Sequence, residues 1–193
     1  AGLVDLRHEK DPGRWATGYA SPALTQGKII KSEFSHGLPG GMKGFAFNTR
    51  REIFKDRTVR QALAFAFDFE WVNKNFFHDS YARTDSYFTN SELAARGLPS
   101  AAERALLKPF QKSLPPEVFE KSYQPPRTDG KGSDRKGLRT AMKLLRKAGW
   151  QLQGKRMMTA AGTLAKFEIL LVNPRNERLA LAYARKLRRM GIG

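Results

Sequence analysis

The sequence predicts an α/β fold, and two observations support this class. Segments with helical spacing of apolar residues alternate along the chain with short apolar runs that are typical of buried strands. Strands that alternate with helices indicate an α/β sheet. A chain of 193 residues with 40% hydrophobic residues is also long enough to bury a core of ordinary size.

The chain begins with an irregular segment. Residues 1–42 are rich in Gly and Pro and show little periodicity apart from a short candidate strand at 27–34. We therefore expect residues 1–42 to pack as an irregular N-terminal segment on an α/β lobe formed by residues 43–193. The first strand of that lobe is predicted at 44–48, where the apolar run GFAFN follows PGG.

A helix is predicted at 57–76. Asp56 is the expected N-cap, since its carboxylate can accept hydrogen bonds from the free amides of the first turn. One face of this helix carries Val59, Ala62, Leu63, Ala66 and Phe67. Further apolar residues surround the helix on other sides, so we expect it to be buried on several faces.

The remaining elements follow from turn signals and periodicity. The polar and aromatic run DSYARTDSYFTN at 79–90 is predicted to be a loop that presents side chains. A Pro/Gly-rich loop is expected at about 121–133. Helices are predicted at 99–110, 134–148 and 177–190, strands at 150–157 and 164–172, and a turn at 160–162. A helix that ends in MGIG normally leads into a further strand, so more chain is expected after Gly193.

The formal net charge of +17 is unevenly distributed. Residues 121–193 contain 18 Lys and Arg against 4 Asp and Glu, so this third of the chain carries +14 of the excess. The simplest interpretation is a set of solvated helix faces. The alternative is a surface for phosphates, for an acidic partner or for an anionic surface.

The sequence contains no recognisable catalytic, metal or cofactor motif. The three histidines, His8, His36 and His78, have no metal-ligand spacing, and the glycine-rich GLPGGMKG lacks the context of a phosphate-binding loop. The sequence contains no cysteine, and this is compatible both with the cytosol and with an oxidising compartment. The N-terminal residues lack the pattern of a signal peptide, and no apolar run is long enough for a membrane span. A basic nucleic-acid-binding domain is the alternative function, although the basic third contains few aromatic residues.

Several stretches resemble the family 5 extracellular solute-binding proteins, which are peptide-binding receptors of ABC importers. The most specific is GFAFNTRREIFKDRTVRQALAFAFDFEWVNKNFF at 44–77. The continuation at 83–119 resembles the YejA-like branch, which binds microcin C and oligopeptides. The segments GLRTAMKLLRKAGW and FEILLVNPRNERLALAYARKLRRMGI are similar to later parts of the family pattern. The resemblance covers roughly residues 42–192.

The resemblance implies one lobe of a periplasmic binding protein-like (type II) fold, with a mixed sheet flanked by helices. Such receptors close two lobes over a ligand and deliver it from the periplasm to the permease subunits of the importer, without an enzymatic step or a cofactor. This chain resembles the inner lobe cut from a longer receptor. The implied partners are an oligopeptide or modified peptide, the permease and the missing second lobe, but no nucleic acid. In peptide receptors of the family, the acidic residue that anchors the peptide amino group usually lies beyond the point that corresponds to Gly193. The isolated lobe is therefore expected to bind peptide poorly or not at all.

Residue roles are also carried over from the resemblance. The motif residues Asp56, Arg57, Arg60 and Asp68 are expected to cap and brace the helix, with ligand contact by the last three as the alternative. Ligand contacts are implied at the end of the first strand, in the loop after residue 82 and at the junction before the last helix. The candidates are Asn48, Arg83, Thr84, Asp85, Ser86, Tyr87, Asn173, Arg175 and Arg178.

Overall fold

A computed structural model describes residues 4–193 of the chain. Within this range the α-helices are α1 (Pro22–Thr25), α2 (Glu52–Lys55), α3 (Arg57–Phe65), α4 (Phe69–Phe77), α5 (Ala101–Leu107), α6 (Glu117–Glu120), α7 (Arg135–Lys147) and α8 (Glu177–Arg189). The strands are β1 (Trp150–Gln153) and β2 (Arg156–Thr159). Single turns of π-helix at Arg14–Gly18 and of 3-10 helix at Lys108–Phe110 and Pro174–Asn176 complete the regular structure of this range.

The chain forms two compact units. Among the described residues, unit 1 contains 4–29, 46–81 and 126–193, and unit 2 contains 30–45 and 82–125. The long loop between α6 and α7 is irregular, as the Pro/Gly-rich sequence at 121–133 predicts. The domain boundary placed at residue 43 from the sequence stays a prediction.

The core of unit 1 is built where α3 packs against α7. The apolar positions of α3 recur at the helical spacing, and Val59, Ala62 and Leu63 are all buried. On α7 the facing positions are Ala141 and Leu145, which are also buried. Both helices begin at an aspartate. Asp56 accepts a hydrogen bond from the backbone N–H of Thr58 (2.6 Å), and Asp134 accepts one from the backbone N–H of Gly137 (2.8 Å).

The single helix predicted at 57–76 is wrong, because the chain forms two helices there. α3 ends at Phe65 and α4 starts at Phe69. Asp68 lies between them with ψ of 82°, outside the helical region, and its carboxylate accepts a hydrogen bond from the backbone N–H of Trp71 (3.2 Å). A short acidic side chain that can bond its own backbone favours a cap over a helix interior, which explains the break.

The strands differ most from the sequence-based expectation. The strand predicted at 150–157 is instead an antiparallel hairpin in which Trp150 pairs with Thr159, and Gly154 in its turn has φ of 59°. The runs at 27–34 and 44–48 form no regular strand. A short apolar run is compatible with a strand, but a strand also needs a neighbour for its backbone groups.

The segment at 164–172 is extended but only partly paired. Met158 and Leu164 form an isolated bridge, and Ala165 donates its N–H to the Met157 carbonyl (2.8 Å). Gly193 then pairs in parallel with this segment, since its N–H bonds the Ala165 carbonyl (3.0 Å) and its carbonyl accepts from Phe167 (3.0 Å). No backbone ladder pairs residues 168–172 within the part of the chain that the structure describes. This explains why a regular strand does not form there.

α8 is joined to the core through Tyr183. The hydroxyl of this buried residue donates to the Leu63 carbonyl (2.9 Å), and its ring meets Phe67 edge to face at 5.5 Å. After α8 the chain turns at Gly191, which has φ of 77° and whose carbonyl accepts from the N–H of Met157 (2.8 Å). Tyr183 and Gly191 therefore connect α8 to the α3 core and to the hairpin.

Unit 2 contains α5 and α6 with irregular chain around them. α5 starts with a capping box in which the Ser100 hydroxyl accepts from the Glu103 N–H (3.3 Å) and the Glu103 carboxylate accepts from the Ser100 N–H (2.7 Å). Hydrogen bonds to the Glu103 carboxylate from the backbone N–H and the hydroxyl of Ser100 lower the pKa of Glu103 below its ordinary value, because they favour the ionised form.

Replacing Asp56 with alanine is expected to lower the free energy of unfolding by about 1 kcal/mol, because the first turn of α3 loses its side-chain acceptor. Urea denaturation measures the change. Asp56→Ser is the matched control, since serine also caps helices and should retain most of the stability. Equal losses in the two variants would contradict a capping role.

Candidate ligand-binding site

A loop of unit 2 at 82–95 holds five of the candidate ligand contacts. Its backbone is organised around Ser86, whose hydroxyl oxygen accepts from the N–H of Phe88 (3.2 Å) and from the N–H of Ala95 (3.2 Å). The Thr89 hydroxyl donates to the Ser86 carbonyl (2.8 Å). Ser86 therefore positions the loop through its own side chain and backbone.

The same loop is anchored to residues 36–40 of unit 2. The Asn90 amide group donates to the carbonyls of His36 (3.0 Å) and Leu38 (2.7 Å), and the Gly40 N–H donates to the Thr89 carbonyl (2.7 Å). Asn90 has φ of 61°, a left-handed conformation that asparagine tolerates better than most residues. These contacts hold the loop to residues 36–40 at Thr89 and Asn90.

The loop presents aromatic and charged side chains from this fixed backbone. Tyr87 is 78% exposed and Phe88 is 55% exposed. Asp85 is exposed beside them, whereas Arg83 and Thr84 are half-buried. Two exposed rings with a neighbouring carboxylate offer apolar packing and an acceptor for a cationic or N–H group. Because the backbone is already held, little ordering would be needed on binding.

The other candidates lie on unit 1, in two groups. Asn48 is exposed, and its side-chain oxygen accepts from the backbone N–H (3.2 Å) and the Nε (3.4 Å) of Arg50. The N–H groups of the Asn48 side chain take no part in these two bonds. An exposed carboxamide can donate to a carbonyl of a bound molecule.

Asn173, Arg175 and Arg178 form the second group, in the turn before α8 and in the first turn of that helix. The Asn173 side-chain oxygen accepts from the Arg175 N–H (3.0 Å), which fixes the turn. The Arg178 guanidinium lies 4.7 Å from the centre of the Phe76 ring, a cation–π contact that orients it. All three residues are exposed, so the two guanidinium groups at the start of the helix favour an anionic group.

The family-motif residues have structural contacts. Arg60 donates through one guanidinium nitrogen to the carbonyls of Phe54 (2.6 Å) and Lys55 (2.8 Å), which ties α2 to α3. Arg57 is exposed on the first turn of α3. Asp68 is 5% exposed and accepts from Thr128 Oγ1 at 2.5 Å.

The contacts around Asp68 were not predicted from the sequence. Lys186 of α8 approaches Asp68 with its Nζ 3.5 Å from the carboxylate, and it also donates to the Gly132 carbonyl. The Thr128 N–H donates to the Glu70 carboxylate (3.0 Å). The loop at 128–132 is thereby held on the start of α4. Thr128 and Lys186 lie 60 and 118 residues from Asp68, so no local spacing points to them.

Unit 1 also contains an apolar cavity of about 290 Å³ beside α8. Its walls are the extended segment at 167–171 and one side of α8, with Glu177 and Arg188 as the charged residues of the lining. Among residues 4–193 no group of three His, Asp or Glu side chains is placed to hold a metal ion, and no helix is long and apolar enough to cross a membrane.

The described residues thus combine a unit of helices and one hairpin with a second unit whose ordered loop exposes polar and aromatic side chains. The whole chain, residues 1–193, matches the model of bacterial extracellular solute-binding proteins, family 5 Middle. The chain belongs to this family, whose members bind solutes rather than catalyse reactions. Two curated relatives that are named YejA confirm the resemblance of the sequence to the YejA-like branch.

The chain is 45% identical to "Uncharacterized protein YejA" of Escherichia coli K12 over 193 residues, which is 100% of this chain and 32% of that protein. It is 43% identical to "Peptidoglycan-binding protein YepA" and 38% identical to "Probable peptide-binding protein YejA", both of Agrobacterium fabrum, over 94% and 100% of this chain and 30% and 32% of those proteins. The chain thus spans about a third of the length of these curated relatives.

A solved structure supports the fold. The crystal structure of NikZ from Campylobacter jejuni in complex with Ni(L-His) superimposes with a TM-score of 0.53 at 20% identity. The match covers 96% of this chain and 34% of NikZ. The α/β solute-binding protein fold predicted from the sequence is confirmed at this level.

Proposed function

We propose that the chain is part of the peptide-binding component of an ABC importer. In this proposal the protein captures oligopeptides or modified peptides in the periplasm and delivers them to the permease in the inner membrane. The 193 residues form one lobe of a clamp whose second lobe belongs to the same, longer protein. Closure of two lobes would bury the ligand and create the surface that the permease recognises.

The observation that carries this proposal is the loop at 82–95. Its backbone is held by Ser86, Thr89 and Asn90, while Tyr87 and Phe88 remain largely exposed. Peptides of varied sequence need a preorganised surface that combines apolar contact with a few directed polar groups. The names of relatives that bind peptide or peptidoglycan support the same substrate class.

The polar candidates have roles that suit a peptide. In unit 2, Asp85 would accept from a cationic or N–H group of a ligand. Independently of that loop, Arg175 and Arg178 of unit 1 would bind an anionic group at the start of α8. The amide of Asn48 would donate to a peptide carbonyl, while Arg83 and Thr84 would support the loop that carries Tyr87. Water can mediate further contacts, which allows side chains of different size to be accepted.

Nucleic acid is not included among the proposed partners. The exposed cations of α7 do not alternate with exposed aromatic residues, as they do in proteins that stack on bases. The exposed aromatics Tyr87 and Phe88 lie instead in unit 2, on a loop with a carboxylate.

Replacing Tyr87 with alanine in the full-length protein is expected to weaken binding of short peptides about tenfold, since one large apolar contact is lost. Isothermal calorimetry with a small peptide library measures this. Tyr123→Ala is the matched control, because Tyr123 is 67% exposed in the same unit but lies outside the loop.

The same calorimetry decides the substrate class. Heat of binding with a nickel–histidine complex and none with any peptide would overturn the peptide proposal. Equal losses in the Tyr87 and Tyr123 variants would remove the loop from the site but leave the substrate class intact.

A further inference from the structure

All charged residues of α7 are cations, and they share one side of the helix. They are Arg135, Lys136, Arg139, Lys143, Arg146 and Lys147. At 100° per residue these positions fall within about a third of the helix circumference. All of them are exposed. Because α7 has 13 residues, the cations form a stripe about 18 Å long.

The cationic stripe faces away from the core. The buried residues of α7 are Gly137, Ala141 and Leu145, and this side packs against α3. The two sides of the helix are therefore fully segregated: one is small and apolar, and the other is charged throughout. Because the apolar side of α7 packs against α3, the cationic stripe points away from the core of unit 1.

The stripe has no carboxylate partner among the described residues. Arg7, Arg14, Lys55 and Lys186 each form an ion pair with a carboxylate, whereas no cation of α7 is within ion-pair distance of one among residues 4–193. Burying several unpaired cations against another part of a longer protein would carry a large desolvation penalty. The stripe is therefore expected to stay at the surface or to meet an anionic partner.

The composition of the stripe indicates what kind of partner it fits. Protein interfaces centre on aromatic or apolar anchors and are depleted in lysine, and the stripe has no such anchor and contains Lys136, Lys143 and Lys147. It also lacks the Asn or Gln side chains that read base edges and the aromatic residues that stack on bases. A straight row of cations without specific geometry fits an extended, flat array of phosphates.

We propose that the exposed face of α7 docks the protein electrostatically on the surface of an anionic phospholipid bilayer. The phosphate groups of the lipid provide the counter-charges that no carboxylate of the described residues supplies to α7. Docking of this kind is reversible and is weakened by salt, because the exposed charges are screened. It is independent of peptide binding, which the proposed function places on other residues.

The experiment is cosedimentation of the protein with vesicles. Vesicles of phosphatidylcholine with about 30 mol % phosphatidylglycerol are compared with vesicles of phosphatidylcholine alone, at about 0.05 M and about 0.3 M salt. We expect binding to the anionic vesicles at low salt and a clear loss at high salt. Each cation at such a surface strengthens binding about fivefold. The double variant Arg139→Gln/Lys143→Gln should therefore bind about 25-fold more weakly.

The matched control removes the same charge from another helix. Arg185→Gln/Arg189→Gln takes two exposed cations from α8 and is expected to change vesicle binding less than about threefold. Circular dichroism checks that both double variants are folded, and peptide calorimetry should give the same affinity for both. Failure of vesicle binding thus does not affect the peptide proposal.

Three results would overturn the proposal: no binding to the anionic vesicles, equal binding to both kinds of vesicle, or equal losses in the α7 and α8 variants. Equal losses would mean that vesicle binding depends on the net charge of the protein and not on the cationic face of α7. Stronger retention of the wild-type protein by duplex DNA than by the anionic vesicles would assign the stripe to nucleic acid instead.

Discussion

Replacing Asp68 with alanine is expected to lower the free energy of unfolding by about 3–5 kcal/mol. The side chains of Asp68 and Lys186 are 4% and 13% exposed, so the substitution leaves a largely buried ammonium group without its carboxylate. It also removes the cap of α4 and one of the two carboxylates that accept from the Thr128 hydroxyl, the other being that of Glu70. Urea denaturation of the wild type and the variant measures the loss.

A double-mutant cycle separates the charge pair from the other bonds of Asp68. Asp68→Asn retains a capping side chain but removes the charge, and Lys186→Met removes the cation and keeps the aliphatic stem. The double variant is expected to cost less than the sum of the two single variants, by about 1–3 kcal/mol. Strictly additive costs would show that Asp68 and Lys186 do not interact in the folded protein.

Replacing Leu63 with alanine is expected to cost about 3–5 kcal/mol, because it opens a cavity in the α3 and α7 core. Leu63 is 0% exposed and is surrounded by buried residues of both helices. The measurement is again the midpoint and slope of urea denaturation.

Leu170→Ala is the control for this core substitution. The same atoms are removed, but Leu170 is 90% exposed in the unpaired part of the extended segment. Its replacement should change the free energy of unfolding by less than about 0.5 kcal/mol. Similar losses at Leu63 and Leu170 would contradict the core described for unit 1.

The side-chain hydrogen bonds of the two units have different roles. In unit 1 the motif residues hold helices together. Arg60 donates to carbonyls at the end of α2, and Asp68 caps α4 and contacts Lys186 of α8 and Thr128 of the 128–132 loop. In unit 2 the hydrogen bonds of Ser86 and Asn90 shape a surface loop and leave its aromatic rings exposed. The stabilising contacts and the proposed ligand contacts thus involve different residues, so variants of each can be tested separately.

Local sequence patterns located the starts of two helices. The spacing of Val59, Ala62 and Leu63 and the N-cap Asp56 located the start of α3, and the periodicity at 134–148 located α7, because a helix bonds only to its own near neighbours. The break at Asp68 between α3 and α4 was not predicted. The cationic side of α7 also follows from sequence alone. The family could be recognised in the same way, since its motifs are local.

The tertiary structure decided what joins distant parts of the chain. The contacts of Asp68 with Thr128 and Lys186, the bond from Tyr183 to the Leu63 carbonyl and the anchoring of Asn90 on residues 36–38 have no local signature. The apolar runs at 44–48 and 164–172 show the same limit, because a strand forms only where another segment supplies its backbone partners. Local spacing determines which face a residue occupies, but only the folded chain determines what that face meets.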